Sequence, residues 1–327
     1  MAKSKKKPIA IIFSDLHLND WPKFNINNER TLNGFRVLFY IRDICIKYSI
    51  PCICCGDLLH KSEHISQEFF DILQQKFHEL EQDDRFRCLS ISGNHDIYKV
   101  SKIQERPVSW VHIFSKYYSW LVDIDYHIKN LNDSYMIYGV PYVDHNIGLS
   151  EYLKNLKLDP KYKNILLLHT DYPGAKDTDG RVIDSCENLN LNILNRFDLI
   201  LCGHIHKPQR LSKKVYMIGA PNQQRRTDRN CDMGYWELYP DLTMKFVHLK
   251  DFPIFIDVES EKDIKDDGNY YTVMHNIAKS SKIAENTHKI TKKLSKRRLA
   301  KLYLKEKSIK DDSKEKLLID ILKKTES

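Results

Sequence analysis

Five short apolar runs of this chain each end directly in polar residues that can bind metal ions, and this constrains the fold more than any other feature. The chain continues as SDLH after Phe13, GD after Cys55, SGNHD after Ile91, H after Leu168 and GHIH after Cys202. Short, nearly continuous apolar runs are typical of strands that are covered on both faces of a sheet. The sequence therefore predicts an α/β fold whose strands deliver Asp, Asn and His to one edge of a sheet.

Helical patterns alternate with the strand-like runs. Glu29–Tyr48 carries an apolar face, and a second helix is predicted to follow Ser66, whose hydroxyl is a suitable N-cap. This alternation favours a largely parallel or mixed sheet. Aromatic residues between Trp110 and Trp120 recur every three to four positions, which predicts a buried helix face rather than a surface that stacks on nucleic-acid bases.

The polar strand ends supply more ligands than one four-coordinate ion needs. They comprise two aspartates, one asparagine and four histidines: Asp15, His17, Asp57, Asn94, His169, His204 and His206. Two ions that share a carboxylate would use such a set, and mixed oxygen and imidazole ligands suit manganese, iron or zinc. Ions about 3.5–4 Å apart can clamp both oxygens of an in-line phosphoryl displacement. His95 then remains free to contact the phosphate or to protonate the leaving oxygen, with Asp96 orienting it.

Taken in order, the motifs DLH, GD, GNHD, the lone His169 and GHIH resemble those of the calcineurin-like metallophosphoesterases over the first two thirds of the chain. The form GDLLHKS resembles that of SbcD-type DNA double-strand-break repair nucleases, including phage recombination endonuclease subunits. Protein phosphatases instead carry a GDxxDRG run, which this sequence lacks. The stretches YGVPY, YMIGAPNQ and FPIFIDV are also similar to the SbcD branch.

The resemblance implies a sandwich of two mixed β-sheets flanked by helices, followed by a small capping segment and a helical tail. It assigns one metal ion to Asp15, His17, Asp57 and His206. It assigns the other ion to Asp57, Asn94, His169 and His204, so that Asp57 bridges the two. The resemblance also implies that His95 is the catalytic histidine, that His60 contacts the substrate phosphodiester, and that manganese is the activating ion.

Charge is unevenly distributed along the chain. Residues 279–327 hold 16 Lys and Arg against 7 Asp and Glu, whereas the rest is close to neutral although the whole chain carries +8. Basic tails usually contact phosphate or an acidic partner surface. A solvated helix, a helix docked on a partner and a direct DNA contact all remain open. In the SbcD branch, a C-terminal helical element docks on an SMC-like coiled-coil ATPase of the SbcC type, which the resemblance implies as the partner.

We therefore expect a nuclease domain over residues 1–250, a short capping segment over 251–278 and a basic, partner-docking tail over 279–327. Four basic residues follow strand ends near the expected site and could contact DNA phosphates: Lys207, Arg225, Arg226 and Arg229. A solvated loop in which these arginines pair with Asp228 and Asp232 is an equal alternative.

The eight cysteines include three in PCICC, but no second Cys or His pair lies at zinc-finger spacing. They are predicted to be small, buried apolar groups. The apolar run Pro8–Phe13 is too short for a signal-peptide core, and no run approaches the roughly 18 residues that a membrane span needs. The sequence thus predicts a cytoplasmic, non-secreted protein with reduced thiols. Whether it forms a homodimer stays open.

The leading hypothesis from the sequence is a manganese-dependent DNA nuclease, an exonuclease or endonuclease subunit of an SbcCD-like recombination and repair complex. The alternative is a calcineurin-like phosphoesterase that acts on a small phosphodiester or a cyclic nucleotide. A catalytically inactive scaffold is disfavoured because every expected ligand is present.

Overall fold

The structure, a computed structural model of the chain, describes residues 7–61, 63–100, 107–125, 128–142, 148–184 and 189–274. It divides into two compact units. The first comprises Met1–Ile256 with Gly268–Tyr270, and the second comprises Asp257–Asp267 with Tyr271–Ser327. Every predicted site residue lies in the first unit, whereas the basic tail lies outside the described residues. The predicted domain limits therefore stay predictions.

The elements alternate between strands and helices in the described ranges. The strands are β1 (Ala10–Phe13), β2 (Cys52–Cys54), β3 (Cys88–Ser90), β4 (Ile97–Val100), β5 (Pro107–Ser109), β6 (Leu121–Asp123), β7 (Ile128–Asn132), β8 (Tyr135–Gly139), β9 (Lys163–His169), β10 (Leu199–Gly203), β11 (Gln209–Arg210), β12 (Val215–Met217), β13 (Gly234–Leu238), β14 (Met244–His248), β15 (Phe255–Val258) and β16 (Tyr270–Val273). The helices are α1 (Glu29–Tyr48), α2 (Gln67–Glu81), α3 (Trp110–Phe114), α4 (Leu149–Asn155) and α5 (Leu191–Leu194).

Two six-stranded mixed sheets form the body of the first unit. The first sheet has the strand order β14-β13-β1-β2-β3-β6, in which β1, β2, β3 and β6 run parallel and β13 pairs antiparallel with β1. The second has the order β11-β12-β10-β9-β8-β7, in which β8, β9, β10 and β12 run parallel. The predicted fold class, mixed sheets flanked by helices, is confirmed. Smaller two-stranded sheets pair β4 with β5 and β15 with β16.

Alternating side chains of each central strand fill two different cores. In β1, Ile12 packs into the core shared by the two sheets, whereas Ile11 and Phe13 pack beneath the helices of the first sheet. In β9, Leu167 enters the shared core and Leu166 enters a third core on the outer face of the second sheet. Both faces of each central strand are therefore buried, which explains why their sequences are apolar throughout.

The two long helices form where the sequence predicts them. Helix α1 has the predicted bounds, and Leu38 and Ile41 on its buried face pack into the core of the first sheet. Helix α2 begins after Ser66, whose Oγ accepts the backbone N–H of Phe69 at 3.1 Å. This bond satisfies one of the donors that every helix start leaves unpaired, so the sequence prediction of an N-cap is confirmed.

The predicted helix through the aromatic residues after Trp110 is wrong in its extent. Helix α3 ends at Phe114, and the side chain of Tyr117 is 76% exposed. The chain leaves the helical path because the backbone of Trp120 bonds to the first sheet, where its carbonyl accepts the N–H of Cys88 at 2.6 Å. Phe114 and Trp120 are nevertheless buried, so the predicted core role of these aromatic residues holds for both.

The described cysteines behave as the sequence predicts. All of them are free and buried, and Cys52 and Cys54 face the helix-covered core while Cys55 faces the core between the sheets. Burial raises the pKa of each of these three thiols, which keeps them protonated and apolar. Among the described residues, no helix has the length and apolarity to span a membrane.

The cap of α2 gives a direct test of the fold. We expect Ser66→Ala to lower the free energy of unfolding by about 1 kcal/mol, because the Phe69 N–H loses its acceptor. Ser66→Thr keeps the hydroxyl oxygen and is expected to recover most of the loss. Chemical denaturation followed by circular dichroism measures both values, and equal stability of the alanine and threonine variants would contradict the assigned cap.

Candidate metal centre

The structure brings all seven predicted ligands together at the carboxyl ends of strands from both sheets. Asp15 and His17 follow β1, Asp57 follows β2 and Asn94 follows β3 in the first sheet. His169 ends β9, and His204 and His206 follow β10 in the second sheet. The strand ends of a parallel sheet meet at one edge, so residues far apart in sequence become neighbours.

One half of the cluster is formed by His17 and its neighbours. The Nε2 atoms of His17 and His206 lie 3.1 Å apart, and His17 Nε2 lies 3.5 Å from Asp57 Oδ2. Asp15 Oδ1 lies 4.0 Å from the same nitrogen. Asp15, His17 and His206 each offer a ligand atom within 4.8 Å of the others, which is compatible with one shared ion.

The other half is formed around Asn94 and His169. Asn94 Oδ1 lies 3.1 Å from His169 Nε2 and 2.9 Å from His204 Nδ1. His169 Nε2 in turn lies 3.3 Å from Asp57 Oδ2. The same carboxylate oxygen thus contacts imidazoles in both halves, as a bridging ligand would.

The donors of this cluster fit divalent metal ions. Asp15 and Asp57 are fully buried, and in the described part of the chain their ion-pair partners are histidines rather than Lys or Arg. Buried carboxylates are costly without compensating charge, and the one protonated imidazole of His169 is shared between Asp57 and Asp15, so the pair suits further positive charge from bound ions. Mixed carboxylate, amide and imidazole donors suit manganese, iron or zinc and do not select among them.

The titration behaviour of the cluster is set by burial and by its own charges. Burial lowers the pKa of His17 well below its usual value, which leaves a neutral imidazole able to bind a metal. Burial alone would raise the pKa of Asp57, but the adjacent His169 and His17 outweigh it and the pKa falls below its usual range. Burial also opposes the charge of His169, yet Asp57 raises the pKa of that imidazole to about 9.

Four of the predicted ligands have a strained backbone. Asp15, His17, Asp57 and His204 all have positive φ, at 52°, 50°, 55° and 90°. L-residues rarely adopt this region, and such outliers persist only where the surrounding structure enforces them. The strands and their turns therefore hold the backbone of these residues in conformations that an unconstrained chain rarely adopts.

Two glycines make room for the ligands. A Cβ on Gly93 would overlap Asp57 Oδ1, and a Cβ on Gly203 would overlap the carbonyl oxygen of Cys55. Neither glycine has a positive φ, so their role is close packing. Gly56 differs, because its φ of 97° provides a sharp turn before Asp57.

His95 lies beside the bridging carboxylate and has a fixed tautomer. Its backbone N–H donates to Asp57 Oδ1 at 2.8 Å, and its Nδ1 lies 2.8 Å from the carbonyl oxygen of His60. Because a carbonyl can only accept, Nδ1 must carry the hydrogen. Nε2 is then the nitrogen available to a substrate.

His60 belongs to the same cluster. Its ring stacks on that of His95 with centroids 4.9 Å apart and planes 11° apart, and its Nδ1 lies 3.1 Å from His17 Nδ1. Burial and the neighbouring His95 lower the pKa of His60 to about 4. The structure therefore places this residue against both a predicted ligand and the predicted catalytic histidine.

The carboxylate of Asp96 contacts backbone N–H groups rather than the imidazole that it was predicted to orient. Its carboxylate accepts backbone N–H groups from Leu58, Leu59 and Gly93 at 3.2, 2.9 and 2.9 Å. The imidazole of His95 is oriented by a backbone carbonyl instead. Asp96 therefore fixes the turns that carry Asp57 and Asn94. Burial and the nearby Asp57 raise its pKa to about 7.

Two acceptors that orient the histidines were not identified from the sequence. The buried carboxylate of Asp228 lies 3.2 Å from His206 Nδ1, and the Cys55 carbonyl lies 2.8 Å from His169 Nδ1. Such contacts fix the tautomer of a ligating histidine. Asp171 lies at the longer, ion-pair distance of 3.5 Å from His204 Nε2. The sequence indicated Asp228 only as an ion-pair partner of the arginines in RRTDRN, and not as a partner of His206.

The four predicted DNA-contacting residues differ in their placement. The side chain of Arg225 is 64% exposed and lines a cavity of about 310 Å³ together with His204 and His206, while its Nε lies 3.6 Å from Asp228 Oδ1. Arg226 and Arg229 lie in a short 3₁₀ helix, in which the Arg229 guanidinium donates to the Arg226 carbonyl at 3.1 Å. Lys207 directly follows His206 and is half-buried. The placement leaves their DNA contacts as predictions.

Comparison with known protein families agrees with this geometry. The family model described as calcineurin-like phosphoesterase matches residues 10–208, which is more than half of the chain. One solved structure is 11% identical, with 74% of this chain and 99% of that chain covered and a TM-score of 0.48. The crystal structure of TT1561 from Thermus thermophilus is 13% identical, with 73% and 97% covered and a TM-score of 0.42.

The close packing at Gly93 gives a test of the metal centre. We expect Gly93→Ala to lower manganese affinity at least about tenfold, because the added methyl group must displace the Asp57 carboxylate. Gly148→Ala is the matched control, since Gly148 has φ of −66° and its Cβ would meet Glu151 Cβ at an ordinary 3.4 Å. Isothermal titration calorimetry measures both affinities. Unchanged affinity in Gly93→Ala would show that Asp57 does not bind the ion.

The raised pKa of His169 predicts how metal affinity depends on pH. In the metal-free protein this imidazole is protonated below about pH 9, and a metal can bind only the neutral form. Apparent manganese affinity should therefore rise as the pH rises from about 6 to about 8, by up to about tenfold per pH unit for each proton released.

Electron paramagnetic resonance of free manganese follows this titration. The His64→Ala variant should keep the same slope, because His64 is exposed and is not among the predicted ligands. A pH-independent affinity would contradict a protonated His169 in the metal-free site.

Proposed function

The chain belongs to the calcineurin-like phosphoesterase family, and on that premise we propose that it is a manganese-dependent DNA nuclease of the SbcD type. Membership of this family implies a metal-dependent phosphoester hydrolase, and the clustered His and Asp groups agree with that activity. The DNA substrate and the choice of manganese are the parts that we propose.

The observation that carries the proposal is the position of His60. This residue is the histidine of GDLLH, the motif in which the chain resembles the SbcD branch. It is half-buried beside His17 and stacks on His95, and these three side chains offer nitrogen atoms within 4.8 Å of one another. A histidine in this position can contact the phosphodiester that His95 and the metal ligands also reach.

The protein would hold its two ions with the seven clustered ligands. Asp15, His17 and His206 would bind one ion, Asn94, His169 and His204 the other, and Asp57 both. When bound, two divalent ions supply Lewis acidity at the phosphoryl group and make a nearby water more acidic. The remaining contributions come from the orientation and proton transfers of the protein's own side chains.

His95 is assigned the proton transfer to the leaving group. In hydrolysis, the oxygen of water loses one proton to the solvent and forms a bond to phosphorus, while the bond from phosphorus to the leaving oxygen breaks. The hydrogen on Nδ1 of His95 is bonded to the His60 carbonyl, so a protonated imidazole would donate from Nε2 to the leaving oxygen. The backbone contact with Asp57 keeps that imidazole beside the bridging carboxylate.

One observation favours the alternative, a phosphoesterase for a small diester or cyclic nucleotide. The cavity next to His204 and His206 is also lined by Asp171, Asp177 and Asp179. Three carboxylates on this side disfavour a polyanionic strand there, although Arg225 lies on the same cavity. DNA bound to this protein would therefore approach from the side of His60 rather than across this cavity.

The proposal includes an SMC-like ATPase of the SbcC type as a partner, reached through residues 279–327. Those residues lie outside the described part of the chain, and the support is their excess of 16 Lys and Arg over 7 Asp and Glu. Such a balance suits an acidic partner surface or DNA phosphate. A steep loss of DNA affinity with salt that weakens when this segment is deleted would place the segment on DNA.

The test compares three substrates at one active site. We expect the purified protein with manganese to cut linear duplex or single-stranded DNA, and to lose activity when the ions are chelated. His95→Ala should lower the rate at least about 100-fold on DNA, whose alkoxide leaving group needs the lost proton, and much less on bis(p-nitrophenyl) phosphate, whose p-nitrophenolate leaves without one. His60→Ala should impair DNA cleavage more than hydrolysis of the small diester.

The exposed His64 provides the matched control, and His64→Ala should stay within about twofold of the wild-type rate. The third substrate, 2′,3′-cyclic AMP, distinguishes the alternative. Cleavage of the cyclic nucleotide or the small diester, with no DNA cleavage either alone or with the ATPase, would overturn the nuclease proposal and favour the small-substrate enzyme.

A further inference from the structure

Two tryptophans from different parts of the chain contact the segment that carries His60. The ring of Trp21, in the loop after β1, lies 4.9 Å from the His60 ring with a tilt of 39°. The indole Nε1–H of Trp110, at the start of α3, donates to the carbonyl oxygen of Lys61 at 2.9 Å. One tryptophan therefore packs on the side chain of this segment, and the other bonds to its backbone.

Trp21 is itself held firmly. The guanidinium carbon of Arg30 lies 4.3 Å from the centroid of the Trp21 ring, a distance typical of a cation–π contact. Arg30 is only 8% exposed, and it donates to the carbonyl oxygens of Lys23 and Gln224 at 2.8 and 2.7 Å. Since Arg30 belongs to the first turn of α1, Trp21 is fixed against a long helix of the core.

The His60 peptide needs such support because His95 depends on it. The His60 carbonyl is the acceptor that places the hydrogen of His95 on Nδ1, and the two rings stack. On its other side, the His60 N–H donates to the Leu18 carbonyl at 3.1 Å. A shift of this peptide would move the accepting oxygen. The hydrogen of neutral His95 could then lie on either ring nitrogen.

A different role for Trp21, stacking on a substrate base, fits the contacts less well. Base stacking requires an open aromatic face. Arg30 and His60 lie 4.3 and 4.9 Å from the centroid of this ring, so its neighbours within the protein already pack against it. Packing within the protein is therefore the better explanation of the Trp21 contacts.

We propose that Trp21 and Trp110 are positioning residues that hold the His60 carbonyl in place and thereby keep a hydrogen on Nδ1 of His95, which leaves Nε2 as the nitrogen that takes up and donates the proton. Neither tryptophan touches the reacting atoms in this scheme. The inference rests on the proposed role of His95 in the reaction, but its structural part, the control of the His95 tautomer, is independent of the substrate.

The kinetic test uses diphenyl phosphate, a small diester that limits contacts away from the metal centre and whose leaving group, unlike p-nitrophenolate, is basic enough to benefit from the proton that His95 donates. We expect Trp110→Phe, which removes the indole donor but keeps an aromatic ring, and Trp21→Ala to lower kcat about tenfold while KM changes less than about twofold. Trp21→Phe keeps an aromatic ring against His60 and should recover most of the loss. A KM effect without a kcat effect would overturn the positioning role.

Trp236→Phe is the matched control for the lost indole donor. Trp236 is buried and its Nε1–H donates to the Ile218 carbonyl at 3.0 Å in the core between the sheets. This variant loses the same group away from the His60 segment, so its kcat should stay within about twofold of wild type. An equal loss of kcat in Trp236→Phe and Trp110→Phe would show that general stability, rather than His95, is affected.

A second measurement separates failure of this inference from failure of the proposed function. Long-range ¹H–¹⁵N nuclear magnetic resonance of the metal-free, ¹⁵N-histidine-labelled protein reports which nitrogen of His95 carries the hydrogen. We expect a single Nδ1–H tautomer in wild type and in Trp236→Phe, and a mixture of tautomers in Trp110→Phe and Trp21→Ala. An unchanged tautomer in the last two variants overturns the inference even if DNA is the substrate. The expected pattern supports it even if DNA is not.

Discussion

The buried carboxylate of Asp57 is the interaction on which both halves of the metal centre depend. One of its oxygens lies 3.5 Å from His17 Nε2 and 3.3 Å from His169 Nε2, and the other accepts the backbone N–H of His95. A carboxylate that is only 1% exposed is costly unless positive charge compensates it. The charge that compensates it in the metal-free protein comes from His169, which belongs to the second sheet. The carboxylate of the first sheet and the imidazole of the second therefore depend on each other.

The sandwich also holds a strained backbone at this edge. Left-handed conformations of non-glycine residues cost of order 1–3 kcal/mol each, and four of the seven clustered ligands adopt them. Strands buried on both faces can enforce such conformations because their registers are fixed by three separate apolar cores. The rigid sheets thus hold the strained turns in place. Together they orient the predicted ligands in the metal-free protein.

Local sequence patterns predicted the elements well where one physical signal dominated. The apolar runs form strands, because burial on both faces requires apolar residues throughout. Ser66 caps a helix, because the unpaired N–H groups of a helix start need a side-chain acceptor such as serine. The aromatic spacing after Trp110 was misleading, since aromatic residues recur at helical spacing whether they lie on a helix or at the start of a strand. The hydrogen bond from the Cys88 N–H to the Trp120 carbonyl places Trp120 beside a strand rather than on a helix. Residues so far apart in sequence give no local pattern that predicts their contact.

The sequence by itself determined the chemistry of the site, because ligand identity lies in side chains. Seven Asp, Asn and His residues at five strand ends, together with His95 and His60, could be recognised without coordinates. Only the tertiary structure decided how these residues are oriented. His169 and His95 bond to the backbone carbonyls of Cys55 and His60, a group that every residue possesses and that no sequence pattern distinguishes. His206 bonds to Asp228, which lies 22 residues later in the chain, in the short 3₁₀ helix after β12.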